Sequence, residues 1–294
     1  MRTLRTAAPS ARPTSRLGAV LVALLGAGLT LGLLAPPAGA VKPDREVVPQ
    51  SRAHAHNDYN HPRPLLDALS HGFTSVEADV WLVDGKLLVA HDRHKVKPKR
   101  TLAALYLKPL RKRIAAHGGS VYRGWAGDFQ LLIDVKSEAS ATYQAIHDEL
   151  HKHRSMLTSY VDGVARPGAV TAVISGGRDL ALMDSQPLRY AGYDGRLSDL
   201  DSGLSPAVMP LVSDSWYSRF TWRGVGPMPE EQRADLHDIV ERAHAAGYRV
   251  RFWGTTDWKS PSRRAVWTEL LAAGVDHINT DDLVALKRFL RNHS

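Results

Sequence analysis

From residue 52 to residue 291, apolar runs of strand length alternate with amphipathic runs of helix length, and this alternation narrows the available folds more than any other feature. Strands separated by helices pair in parallel through crossovers, and parallel sheets bury both faces. Strands are expected over residues 52–57, 75–83, 86–90, 129–135, 169–175, 209–212, 249–253 and 276–279. Helices are expected over 64–70, 102–116, 139–153, 230–246, 263–273 and 282–291. Pro64 suits a first helical turn, and Gly72, Gly247 and Gly274 stand just past helix ends. Asp84-Gly85 marks one hairpin, and the Gly/Ser/Asp-rich residues 194–204 read as loop. An order of this kind at this length favours a (β/α)8 TIM barrel over a doubly wound sheet. Neither G-x-G-x-x-G nor a P-loop occurs to argue for the latter.

The first 40 residues follow a different plan. Arg2, Arg5, Arg12 and Arg16 precede an uncharged run, 17–34, and Ala38-Gly39-Ala40 supplies small residues for cleavage. This is the layout of a Sec-type signal peptide, so secretion is expected, with retention of the run as an anchor the less favoured outcome. No two arginines are adjacent, which argues against a twin-arginine signal. Taking residues 1–40 from the 294 leaves 254, and the formal charge falls from +8 to +4 with the four arginines. The absence of cysteine excludes disulfides and a lipoprotein anchor. Residues 41–50 read as an extended tether and 51–294 as one domain, expected to be a monomer.

Carboxylates and imidazoles inside strand-like runs are costly unless something satisfies them. Glu77 and Asp79 lie two apart on a strand, on one face with Ser75, and two carboxylates that close call for a cation between them. Oxygen ligands select a hard ion, Mg²⁺ or Ca²⁺. His91-Asp92 follows the return arm of the hairpin, which brings His91 back beside that pair as a candidate acid/base. His56-Asn57 ends the first strand: His56 is a candidate for the complementary base, and Asn57 offers a carbonyl oxygen for a hard cation. Asp134 and Lys136 share a face, one completing an oxygen ligand set and the other placing a charge on a phosphate oxygen. His56, Asp79, Asp134, Trp253 and Asp281 all fall at or just beyond the C-terminal ends of strands, where barrel active sites sit. The set as a whole expects a metal and an anionic phosphate ester.

These residues resemble the superfamily of glycerophosphodiester phosphodiesterases and phosphatidylinositol-specific phospholipases C. There a histidine follows strand one, E-x-D follows strand two, and a second histidine in H-D or H-G comes soon after. His56-Asn57-Asp58-Tyr59 resembles the S-H-N-T-Y motif of the eukaryotic phospholipases, and Phe252-Trp253 and Ile278-Asn279-Thr280-Asp281 resemble the W-T and I-T-D strand endings of phosphodiesterases. H-x-H-N-D-Y with S-V-E-A-D-V is similar to a branch that includes fungal mitochondrial-inheritance proteins. The resemblance implies a metal-dependent phosphodiesterase barrel acting on a glycerophosphodiester or phospholipid headgroup. It implies His56 and His91 as the acid/base pair, and Asn57, Glu77, Asp79 and Asp134 as metal ligands. H-N-D stands where phosphodiesterases have H-R-G, and their E-N-T motif is missing, as are the phospholipase X and Y domains.

Two other readings compete. His54-x-His56 also opens the zinc amidohydrolases, but His147, His151, His153, His237 and His244 fall in expected helices, not at strand ends. A non-catalytic lipid- or glycan-binding barrel is the second; retention of both histidines and the carboxylates argues against it. His54 is expected beneath the site or facing phosphate, with Trp253 and residues 213–217 as candidate pocket walls. The basic stretches 93–100 and 108–113 suit a solvated face or an anionic membrane or cell-wall polymer. Nucleic acid is not expected, because no aromatics interleave with these charges.

Overall fold

The computed structural model describes residues 47–293. The expected leader, residues 1–40, and residues 41–46 of the expected tether lie outside the described residues. Eight parallel strands form the barrel: β1 (Gln50–Ala55), β2 (Phe73–Val83), β3 (Phe129–Val135), β4 (Val170–Gly176), β5 (Ala191–Gly195), β6 (Leu211–Ser215), β7 (Arg249–Trp253) and β8 (His277–Thr280). Each pairs with the next, and β1 pairs with both β2 and β8, which closes the ring. The fold is a (β/α)8 TIM barrel. Beyond the ring, β2 turns at Asp84-Gly85 into an antiparallel arm, Lys86–Val89, in the expected hairpin.

The helices are α1 (Leu66–Ser70), α2 (Lys108–Ala116), α3 (Ala139–His151), α4 (Leu180–Ser185), α5 (Trp216–Arg219), α6 (Glu230–Ala245), α7 (Pro261–Ala272) and α8 (Leu283–Arg291). Their starts have chemical causes. Glu138 accepts from the amides of Ser140 and Ala141 before α3, Ser260 caps α7 with Pro261 following, and Asp282 accepts from Ala285 N–H before α8. Along α6 the buried positions Leu236, Ile239, Val240 and Ala243 recur at helical spacing and face the strands. Among the described residues no helix is long and apolar enough to cross a membrane.

The main core fills the layer between strands and helices. Inside the ring lies a separate small cluster, Leu132, Val173 and Leu211 from β3, β4 and β6. The structure departs from the sequence reading at β5, whose end falls in the expected loop 194–204. Two glycines in Ala191–Gly195 hid the strand. A Cβ on Gly192 would come within 2.4 Å of Pro210, and one on Gly195 within 2.2 Å of Met209 Sδ, so close packing by the next segment requires them. A three-stranded sheet of Ser159–Val161, Val164–Arg166 and Leu188–Arg189, at the N-terminal end of the barrel, was also not anticipated. The expected helix 102–116 is broken by a π-helical turn at Ala103–Leu107.

Candidate active site

At the C-terminal mouth, Asp79 on β2 stands opposite Asp134 on β3 in register, with Glu77 one inward step below. Parallel strands in register put these side chains on one face, the inside of the barrel. Ligand oxygens from Glu77, Asp79 and Asp134 all lie within 4.8 Å of one another.

Each carboxylate has one oxygen anchored. Glu77 Oε2 accepts from Arg251 Nη2 at 2.5 Å. Asp79 Oδ2 is 2.8 Å from Tyr59 Oη, 2.9 Å from His91 Nδ1 and 3.2 Å from Lys136 Nζ. Asp134 Oδ2 accepts from Lys136 Nζ at 2.7 Å. The other oxygens of both aspartates, Asp79 Oδ1 and Asp134 Oδ1, are buried without a hydrogen-bond partner. Orphaned buried carboxylate oxygens on neighbouring strands suit a hard cation, so the residues fit a divalent metal. Gly176 keeps the room open: at φ +66°, a Cβ there would stand 1.9 Å from Asp134 Oδ1.

The electrostatics follow from burial and these contacts. Burial alone would raise Glu77, yet the Arg251 guanidinium and His54 hold it well below the usual carboxylate range. Burial and the Glu77 charge push Asp79 up to about 6. Burial also raises Asp134, against the pull of Lys136, while Asp134 and Asp79 outweigh burial and hold Lys136 protonated. Three carboxylates face two built-in cations, which leaves one net negative charge; a divalent ion would leave the site one positive.

The two candidate acid/base histidines are held alike. His91 Nδ1 is 2.9 Å from Asp79 Oδ2, and His56 Nδ1 is 2.8 Å from Asp281 Oδ1. Ionised carboxylates only accept, which puts the proton on His91 Nδ1 and leaves its Nε2 to exchange one; on His56 the same assignment sets Asp281 against the Asn57 amide, whose Nδ2 lies 2.8 Å from the same Nδ1. On His56 burial pulls the pKa down, but the bond to Asp281 and the Glu77 charge raise it overall. Asp281 is itself placed by Asp257, whose carboxylate accepts from the Asp281 amide at 2.6 Å and from Thr280 Oγ1 at 2.6 Å.

The structure brings His56, Glu77, Asp79, His91, Asp134 and Lys136 together. Asn57, in the left-handed backbone region at φ 49°, is joined to them both directly and through Tyr59: its Nδ2 is 2.8 Å from His56 Nδ1 and 3.3 Å from Asp281, and its Oδ1 accepts from Tyr59 Oη at 2.5 Å. His54 is fully buried beneath the cluster, out of reach of a substrate. Burial and Arg251 lower its pKa to about 3, so the ring is neutral. Both its nitrogens are committed to Ser75 and Glu77, which leaves no H-x-H pair to hold zinc. Trp253 is 38% exposed on the rim and makes no polar contact with the cluster among the described residues.

Below the mouth runs a one-way hydrogen-bond chain. His277 Nε2 donates to Gln130 Oε1 (3.1 Å), Gln130 Nε2 to Ser75 Oγ (3.0 Å), and Ser75 Oγ to His54 Nδ1 (2.7 Å), leaving the His54 proton on Nε2, 3.5 Å from Glu77. Arg251 also donates to Asn279 Oδ1 at 2.9 Å. Arg251, Tyr59, Asn279 and Gly176 were not singled out from the sequence. Arg251 carried a usable signal: in R-V-R-F-W the arginines alternate with Val250 and Phe252, as Glu77 and Asp79 alternate with Val76 and Ala78.

Comparison with known proteins places this geometry. The AIM6-like phosphodiesterase domain matches residues 42–194, and the glycerophosphoryl diester phosphodiesterase family matches residues 249–283. Together those segments contain every residue of the site. Altered inheritance of mitochondria protein 6 of Eremothecium gossypii is 33% identical over 277 residues, covering 83% of this chain and 71% of that protein. The Arthroderma benhamiae homolog is 29% identical over 264 residues, covering 80% and 82%. In fold, the chain is similar to the crystal structure of a glycerophosphoryl diester phosphodiesterase from Parabacteroides distasonis, with a TM-score of 0.50 and 13% identity over 85% of this chain and 88% of that one.

Proposed function

The chain belongs to the AIM6-like phosphodiesterase family, and from that membership we propose that it is a secreted, divalent-cation-dependent enzyme cleaving the P–O bond of a glycerophosphodiester or phospholipid headgroup. The observation that carries this reading is the pair of imidazoles, each tied through Nδ1 to a carboxylate, at the edge of a three-carboxylate cluster. The charge balance supports it: a site left one positive by a divalent ion matches a monoanionic diester better than a dianionic monoester.

Glu77, Asp79 and Asp134 would hold Mg²⁺ or Ca²⁺, which when bound supplies neutralisation of the phosphoryl oxygens. Lys136 adds a fixed positive charge at the edge of the cluster for a further phosphoryl oxygen. Arg251 keeps Glu77 ionised, and Tyr59 steadies Asp79 against Asn57. One histidine takes a proton on Nε2 from the attacking hydroxyl, either water or a neighbouring hydroxyl of the substrate. As the new P–O bond forms, the old one breaks, and the other histidine gives its Nε2 proton to the departing alkoxide. With a substrate hydroxyl as nucleophile, the first product is a cyclic phosphate.

The test is hydrolysis of bis(p-nitrophenyl) phosphate and a panel of glycerophosphodiesters with Mg²⁺, Ca²⁺, Zn²⁺ or EDTA, beside His91→Ala and Glu77→Gln. Turnover that needs Mg²⁺ or Ca²⁺ and falls by about 10³-fold or more in both variants is expected. Equal turnover in EDTA, or full activity in either variant, would overturn the assignment.

A further inference from the structure

The rim around the mouth is chemically split. On the β6 and β7 side, Tyr217, Val225, Trp253 and Trp258 are 45%, 77%, 38% and 61% exposed. They account for four of the nine large apolar side chains exposed among the described residues, including every exposed Trp and Tyr. They lie on adjoining segments. A Cβ on Gly254 would be 3.2 Å from the Tyr217 ring, the Arg223 guanidinium stacks 4.1 Å from the centre of that ring, and Thr256 Oγ1 donates to the Arg223 carbonyl at 3.1 Å. Gly224 packs against the Ser262 carbonyl, so the loop carrying Val225 lies against the start of α7.

On the other side, directly after His91, the exposed residues Arg93, Lys95, Lys97 and Lys99 form a basic lip. Only Lys95 has a carboxylate partner among the described residues, Asp92 at 2.8 Å. Of the acidic groups on this end, Glu138, Asp179 and Asp282 cap helices, while Glu230 and Glu231 stand exposed in the first turn of α6. Helix N-termini point to the same end and add positive potential.

Clustered Trp and Tyr suit the headgroup region of a bilayer, and clustered Lys and Arg suit an anionic leaflet. We propose that the barrel mouth docks on an anionic lipid surface, with the Tyr217–Val225–Trp258 side inserted among the headgroups and the Arg93–Lys99 lip lying against their phosphates. Such docking points His56 and His91 at the membrane. It deepens the phosphodiesterase reading by naming a bilayer as the source of the diester. Docking is measured without turnover, so the two fail separately.

The chain has no cysteine, which allows labelling at single positions. Trp258→Cys and Val225→Cys, with Val164→Cys on the opposite end as control, would each carry an environment-sensitive fluorophore. They would be mixed with vesicles of phosphatidylcholine alone or with equal phosphatidylglycerol. Blue-shifted emission, quenched by brominated lipid, is expected at 258 and 225 on the anionic vesicles and not at 164. Arg93→Glu, Lys97→Glu and Lys99→Glu together should weaken that signal by about 100-fold, at about five-fold per cation. Reading local labels keeps the answer independent of any other part of the chain that binds lipid. Melting temperatures verify each variant's fold, and Lys259→Cys replaces any that fails. No shift at 258 and 225, an equal shift at 164, or a shift indifferent to the charge reversal would overturn the proposal.

Discussion

Midway up the barrel, β3, β4 and β6 point Leu132, Val173 and Leu211 inward, whereas β1, β2, β7 and β8 point His54, Glu77, Arg251 and Asn279. Both groups are buried and both sit on strands of the same alternation. The three apolar side chains are held by contact and tolerate apolar residues of similar volume, although on neighbouring positions of the same side Ser175 and Ser213 donate to the buried Asp194. The polar side has offset the cost of burying charge only through complete pairing, so each member depends on its neighbours. Position in a barrel therefore does not set the consequence of a substitution; the kind of contact that satisfies the side chain does.

The sharpest way to break that comparison is Arg251→Met. It leaves the Glu77 carboxylate buried without its cation, so unfolding in urea should show a loss of about 3–5 kcal/mol, and diester turnover should collapse with it. A change under about 1 kcal/mol would mean the pair is not the buried unit described here. Next is Leu132→Ala on the other half, expected to cost about 2–4 kcal/mol through the cavity it leaves, with turnover per folded molecule close to unchanged. Equal damage to turnover would erase the distinction between halves.

The smallest effect is a pH slope. Asp58, fully buried, accepts from Leu65 N–H at 2.6 Å, and burial raises its pKa from 3.8 to about 7. Between those values the folded chain keeps a proton that the unfolded chain has released, so stability declines as pH rises across that window. Asp58→Asn should flatten this part of the melting-temperature profile and leave the variant relatively more stable at pH 8 than at pH 4. An unchanged slope would assign the pH dependence to other groups.

What could be read from the sequence followed the strength of local patterning. Residues 129–135 and 249–253 were expected as strands with the bounds now seen, because apolar or alternating runs stop at clear breaks. Glu77, Asp79, His91 and Asp134 were legible because strand alternation and a two-residue turn carry them to one place by short-range rules. Arg251 and Asp281 were harder, because their partners Glu77 and His56 are 174 and 225 residues away. Tyr59 was quoted as part of a motif but given no role, since its contacts to Asn57, Asp79 and His91 depend on a 3₁₀ turn at Asp58–Asn60. Strand β5 was lost because its glycines answer to Met209 and Pro210, which no local pattern announces.

The two histidine–carboxylate pairs differ in how they are assembled. Asp79 and His91 are 12 residues apart, across one hairpin. His56 meets Asp281 only where β1 closes against β8, 225 residues later. A ribosome delivers the first pair early and the second almost last. A chain that is still being made, or one cut short before residue 281, can hold half of this constellation and never the whole. Closure by the final strand is thus the step that brings His56 its carboxylate partner.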